Sequence, residues 1–258
     1  MAAERVSAAI LRNKRCQPLR SLKTTIMSGS HCAVSVKAEL CKMWPGDLIE
    51  NYGLSEGGIL TRLNITRTPD KLKSVGTVVP SYEMFIVGEN DRAVPPGTEG
   101  EIVGRSPYVM QGYFNRDDLA ESLIWRDPAG RIFQRTGDIG WMDADGYLYI
   151  SDRKKDVIIS GGMNIYAAEI DQLLEQHPEV LEAATVAAPN ERWDETPLSF
   201  VVRQPGATIE SVALLEWINT RLAKESRVSS IEFVDSLPRN SMGKVMKREL
   251  RKQSADRS

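Results

Sequence analysis

The chain has 258 residues, of which 41% are apolar and 26% charged, and its formal net charge is −2. That length accommodates a sizeable core and two domains, and the near-neutral charge gives no electrostatic reason to expect nucleic acid or an anionic membrane as a partner. No apolar run approaches the roughly 18 residues of a transmembrane segment. The three cysteines, Cys16, Cys32 and Cys41, are odd in number and lack a CxxC spacing. They read as reduced thiols of a cytoplasmic protein, not as a disulfide frame or a zinc site.

Residues 1–23 carry Arg5, Arg12, Lys14, Arg15, Arg20 and Lys23 against Glu4 alone. This has the composition of a transit peptide, or of a surface helix with Val6, Ile10 and Leu11 inward, which is the preferred reading. Leu22–Met27 is a short β-like run ending at Ser28-Gly29-Ser30. A helical pattern follows with Val34, Ala38, Leu40 and Met43, which makes an α/β unit. Asp47–Asn51 is a second short strand, and it runs into Tyr52-Gly53-Leu54-Ser55-Glu56-Gly57-Gly58. A ring, a hydroxyl and a carboxylate between glycines suit a base, a phosphate and a magnesium ion. They equally suit a glycine-rich turn with incidental polar residues.

From about residue 61 to 150 the runs become short and β-branched: Ser74–Val79, Tyr82–Val87 and Gly100–Val103. The turn signals Gly88–Asp91 and Pro95–Thr98 separate them, which predicts an antiparallel, barrel-like subdomain. Asp117–Trp125 reads as a short helix, Gly130–Gln134 and Tyr147–Ser151 as strands, and Asp143–Gly146 as a hairpin turn. The stretch Thr136–Lys155, which takes in this turn and the second of these strands, holds a carboxylate (Asp138), an arginine (Arg153) and a charged joint at Lys154 and Lys155.

Beyond Asp156 the pattern is that of a compact α+β domain. Val157–Ile159 is strand-like and Ser160-Gly161-Gly162 a tight turn. A helix follows with Ile170, Leu173 and Leu174 on one face. Ala183–Ala187, Leu198–Val202 and Ser230–Val234 are strand candidates. Residues 209–224 make an amphipathic helix with Val212, Leu215, Ile218 and Leu222 inward. The chain closes with the loop Pro238–Gly243 and a basic helix from Lys244.

The runs YGLSE, RTGD, DRKKDVIISGGMNIYAAEID and PRNSMGK, in that order, resemble the adenylate-forming acyl-CoA synthetases, the AMP-binding ligases. The likeness extends from about Leu22 to Leu250. It implies the end of a parallel α/β sheet (1–60) and a β-barrel-like subdomain (61–154), together part of a large domain. A small mobile α+β domain (155–258) would follow, with its hinge at Lys155. It also implies a two-step ligase. A carboxylic acid attacks the α-phosphate of ATP to give an acyl-adenylate and pyrophosphate. Coenzyme A then attacks the adenylate to give a thioester and AMP.

Residue by residue, the resemblance makes Lys244 the catalytic lysine. Asp138 and Arg153 hold the ribose and Tyr52 stacks on adenine. Gly29, Ser30, His31, Asn51, Gly53, Leu54 and Ser55 complete the nucleotide contacts. Glu56 binds Mg2+, and Ser160, Gly161 and Gly162 line the coenzyme A tunnel. Ser55 stands where the family usually has threonine and keeps the hydroxyl, and His31 is unusual for its loop. No Ser/Thr/Gly-rich phosphate loop ending in lysine occurs in residues 1–50. The expectation is therefore the second half of a family member, completed by a missing N-terminal half or by a homodimer. The alternative is a non-catalytic nucleotide- or partner-binding module.

Overall fold

In a computed structural model the described residues are 23–29, 32–114, 123–240 and 243–255. The expected N-terminal helix, Cys16, Ser30, His31 and most of the expected helix Asp117–Trp125 lie outside them. The chain folds as two compact units, Met1–Ser151 and Asp152–Ser258. Among the described residues no helix is long and apolar enough to cross a membrane.

The first unit holds two sheets. In one, β1 (Thr24–Ser28), α1 (Val34–Met43) and β2 (Asp47–Gly53) form a β-α-β crossover, with Ile26 opposite Ile49 in parallel register. Two antiparallel strands, β3 (Leu60–Asn64) and β4 (Thr77–Val78), extend this sheet in the order β1-β2-β3-β4. Leu40, Leu48, Leu63 and Ile65 form its core. Inside that core sits a charge. Lys37 of α1 is 2% exposed and is ion-paired with Glu50 of β2. Its ammonium also donates to the carbonyls of Leu72 (3.0 Å) and Ser74 (3.3 Å). Burial pushes the Glu50 carboxyl up, and Lys37 pulls the other way.

The second sheet comprises β5 (Glu83–Val87), β6 (Gly100–Arg105), β7 (Ile124–Arg126), β8 (Ile132–Met142) and β9 (Leu148–Arg153). Its order is β5-β6-β8-β7, with β9 also on β8. The expected hairpin turn is built by Asp143, whose carboxylate accepts the N–H groups of Asp145 (3.0 Å) and Tyr147 (2.9 Å). The described end of the expected 117–125 helix is strand β7 instead. Trp125 packs edge-on to Phe133 at 5.4 Å, and its strand pairs with Ile132–Gln134. Cross-strand packing outweighs the local helical pattern.

The second unit is a five-stranded sheet covered on both faces. Its elements are β10 (Ile158–Ser160), β11 (Met163–Ile165), α2 (Ala167–Leu174), β12 (Val180–Asn190), β13 (Asp194–Arg203), α3 (Ser211–Asn219), β14 (Ser230–Phe233) and α4 (Lys247–Ala255). The order is β11-β10-β13-β12, with β14 parallel to β13. Ala183 and Val201 face Ile170, Leu174, Leu214 and Ile218. Ala184, Val186, Phe200 and Val202 face Leu237 and Leu250. The helix expected over 209–224 is shorter, and Val212 is 66% exposed rather than inward. Leu214 and Ile218, four residues apart, form the buried stripe. Val212, two residues before Leu214, is turned roughly 200° away from it.

Lys37→Ala leaves Glu50 buried without its cation, and urea unfolding of the chain is expected to show a loss of about 3–5 kcal/mol. The double replacement Lys37→Met with Glu50→Leu is expected to recover most of it, because both buried charges are then gone.

Candidate functional site

In the first unit the site is organised by an irregularity in β8. Val103 of β6 pairs with Arg135, and Glu101 pairs with Ile139. One residue of β6 therefore faces three of β8: Thr136, Gly137 and Asp138. Such a bulge takes backbone groups out of the ladder and needs a residue tolerant of positive φ. Gly137 has φ +71°. Thr136 repairs the ladder: its hydroxyl donates to the Ile102 carbonyl (2.8 Å) and accepts the Asp138 N–H (3.0 Å). This is the local reason for the Thr-Gly-Asp order.

The bulge leaves the Asp138 carboxylate 3% exposed. It accepts a 2.7 Å hydrogen bond from the Tyr52 hydroxyl at the end of β2. Asn51 accepts from Arg62 at 3.3 Å. After Gly53 the chain turns, with the Gly57 N–H on the Leu54 carbonyl (3.0 Å), and Leu54, like Tyr52, packs on the core of Ile59, Ile86, Ile102 and Leu148. A strap from residue 106 to 110 holds this turn. Ser106 donates to the Gly57 carbonyl at 2.6 Å, and the Met110 N–H donates to the Glu56 carbonyl at 2.8 Å. The Glu56 carboxylate accepts from Ser55 (3.0 Å) and from the Tyr113 hydroxyl (2.6 Å). The bond to Glu56, more than burial, raises the Tyr113 phenol above its usual value. Gly29 lies just past β1, at φ +91°.

The second unit carries the remaining candidates. Arg153 ends β9, and Lys154–Asp156 make one 3-10 turn on which Lys155 is exposed. The Lys155 carbonyl accepts from Arg251 at 2.9 Å, and Arg251 also reaches Asp156 at 2.7 Å. Ser160 pairs with Met163 across a two-residue turn, Gly161-Gly162, at φ +55° and +82°. Both signs are those of a type I′ hairpin turn. The Gly161 N–H donates to the Trp193 carbonyl at 2.9 Å. Lys244 is exposed, on the loop between β14 and α4.

The AMP-binding enzyme profile matches residues 1–114, and the AMP-binding enzyme C-terminal domain profile matches residues 169–244. The chain belongs to the AMP-binding enzyme family. It is 36% identical to a long-chain-fatty-acid–CoA ligase of Bacillus subtilis, over 90% of this chain and 41% of that protein. It is also 36% identical to a feruloyl-CoA synthase of an Amycolatopsis species, over 92% of this chain and 48% of that protein. Among solved structures, o-succinylbenzoate CoA synthetase of Bacillus subtilis with its acyl-adenylate superposes with a TM-score of 0.84 at 30% identity. That match covers 96% of this chain and 49% of the other. The chain thus spans about half the length of the relatives it matches.

Within this family member the sequence motifs fall on two units. Asn51, Tyr52, Leu54, Ser55, Glu56 and Asp138 come together in the first, while Arg153, Lys155, Ser160–Gly162 and Lys244 belong to the second. Sequence reasoning missed Ser106 and Tyr113, which no local motif marks. It also missed Asp152, 7% exposed, which accepts the N–H of Ala168 at 3.1 Å. Burial raises the Asp152 carboxyl, and the Lys247 charge opposes this.

A raised carboxyl stabilises the fold below its unfolded value of about 4, and that contribution is lost as pH rises through the folded value. Asp152→Asn is therefore expected to flatten the fall in stability of the second unit above pH 4, measured by urea unfolding across a pH series. Thr136→Val strips one donor and one acceptor from the bulge and is expected to cost about 1–3 kcal/mol.

Proposed function

We propose that this sequence serves ATP-dependent acyl-CoA synthesis. A carboxylate oxygen attacks the α-phosphate of ATP and pyrophosphate leaves. The coenzyme A sulfur then attacks the acyl carbon, its thiol proton is lost, and AMP leaves. The single observation that carries this reading is the buried Asp138 carboxylate, fixed by Tyr52 beside the glycine turn, in a chain whose curated relatives are named CoA ligases.

Asp138 is assigned to the ribose hydroxyls, because a carboxylate accepts two hydroxyl protons. Its bond to Tyr52 would set the plane of a ring that stacks on adenine. Asn51, Gly53, Leu54, Ser55 and Gly29 are assigned to the surrounding nucleotide contacts, with Ser55 toward phosphate. Arg153 is assigned to the ribose from the second unit, Lys155 to the pivot between units, and Ser160-Gly161-Gly162 to the pantetheine arm. Lys244 is assigned to the carboxylate and phosphate oxygens, where negative charge gathers during adenylation. Glu56 fits Mg2+, which is held by one or two carboxylates together with substrate phosphates. When bound, the ion would neutralise phosphate charge. The acid is a carboxylic acid, and the reading holds equally for fatty, aryl and short-chain acids. The reduced Cys32 and Cys41 suit a cytoplasmic setting.

A second reading is a nucleotide-binding module without turnover, for which the Tyr52–Asp138 pair of the first unit would suffice. Calorimetry of the chain with AMP and ATP separates the two. Binding of AMP with no pyrophosphate exchange supports the module, and exchange supports the ligase. Asp138→Ala is expected to weaken AMP binding roughly 10- to 100-fold, the worth of hydrogen bonds to a charged group. Lys244→Ala is expected to leave AMP affinity in place and slow pyrophosphate exchange about 100-fold or more. Unchanged exchange in that variant would remove Lys244 from the reaction.

A further inference from the structure

We propose that Arg239 and Glu182 are positioning residues that fix the backbone from which Lys244 projects. The proposal rests on the reading of Lys244 as the adenylation lysine. The loop carrying Lys244 is a small hairpin in which Arg239 bridges to Val245. Within it the Asn240 N–H donates to the Lys244 carbonyl (3.0 Å), and the Lys244 N–H donates to the Asn240 side-chain oxygen (2.9 Å). The Gly243 N–H donates to the Asn240 carbonyl (2.9 Å), and the Met246 N–H to the Pro238 carbonyl (2.8 Å). These bonds shape the loop but do not attach it to the sheet.

Val245 packs on the sheet's apolar face, and Arg239 adds a directional polar attachment next to Lys244. One arm of its guanidinium donates to the carbonyl of Gly243, the residue before Lys244, at 2.7 Å. The other arm donates to the Glu182 carboxylate of β12 at 2.6 Å. The planar fork suits two acceptors at once, which a lysine cannot reproduce. The pair is about three-quarters buried, with side chains 22% and 24% exposed, so it is not an ordinary solvated surface pair.

β12 is itself adapted to this contact. Its pairing with β13 shifts register between Val180 and Glu182, and bulges re-aim side chains. Glu182 then shares the parity of Ala184 and Val186, on the face that Leu237 and Leu250 cover. A chain of contacts therefore runs from the sheet through Glu182 and Arg239 to Gly243 and Lys244.

The clamp is tested on the whole chain by hydrogen exchange and by ATP–pyrophosphate exchange. Arg239→Ala and Glu182→Ala are expected to speed exchange of the Gly243, Lys244 and Met246 amides at least about tenfold, with β13 and α3 unchanged. Arg239→Lys is expected to recover only part of the protection. In turnover, Arg239→Ala is expected to lower kcat for pyrophosphate exchange about tenfold with little change in KM for ATP. It should add no further loss in a Lys244→Ala background.

Unchanged exchange at 243–246 overturns the clamp. So does acceleration spread across the whole second unit, or additive losses with Lys244→Ala. If Lys244→Ala itself leaves turnover unchanged, or the chain supports no pyrophosphate exchange, the functional reading of Lys244 fails. The hydrogen-exchange result then still decides whether Arg239 and Glu182 hold the loop.

Discussion

The bulge in β8 is the constraint on which the first unit's site depends. A regular antiparallel strand would alternate Thr136, Gly137 and Asp138 strictly between its two faces. Three residues against one, with Gly137 at φ +71°, break that alternation and release Asp138 from the ladder. The Thr136 hydroxyl satisfies both the carbonyl and the N–H that the break exposes. The result is a carboxylate 3% exposed yet aimed at the end of β2, where the Tyr52 hydroxyl meets it. That hydrogen bond is one of several links between the two sheets of the first unit, beside those of Leu148 to Val75 and Gly76, and it fixes the start of the glycine turn after Tyr52. The strap from Ser106 to Met110 completes this by holding the Glu56 and Gly57 carbonyls.

The second unit meets a different demand. Its sheet is largely apolar on both faces, with buried runs in the middle of β12 and β13 that include one hydroxyl pair, Thr185 and Ser199, at 2.7 Å. Ion pairs lie at its margins. Lys247 of α4 pairs with Asp171 of α2 at 2.9 Å, and Asp171 also accepts the Thr185 N–H of the outer strand β12. Arg251, one turn along α4 from Lys247, holds the Lys155 carbonyl and the Asp156 carboxylate. The helix that follows Lys244 is thus tied at successive turns to α2 and to the 3-10 turn of Lys155. The segment bearing the lysine and the segment bearing the proposed pivot belong to one packed body.

Buried charge in the first unit takes two forms. Lys37 and Glu50 are as buried as Asp138, but they form an ion pair that stitches α1 to β2, and the Lys37 ammonium also donates to the Leu72 and Ser74 carbonyls. Nothing in the local pattern of Val34–Met43 distinguishes Lys37 from a solvated lysine, so its burial was invisible to periodicity. The same holds for Glu182, whose partner Arg239 lies 57 residues away.

Four ordered motifs sufficed to place the chain in its family and to name Tyr52, Asp138, Arg153 and Lys244 as candidates. Alternation and turn residues gave the β-rich character of residues 61–150, because those signals are local. Tertiary structure alone decided the rest. It turned the described end of an expected helix into β7, because Trp125 packs on Phe133. It turned Val212 outward and Leu214 inward, and it lengthened the 183–187 and 198–202 strands into one long hairpin. It also chose which of the many carboxylates are buried, and set Arg239 between Glu182 and Gly243. Those outcomes rest on contacts between residues distant in the chain. Their energies depend on what packs opposite, and no local window of the sequence contains both partners.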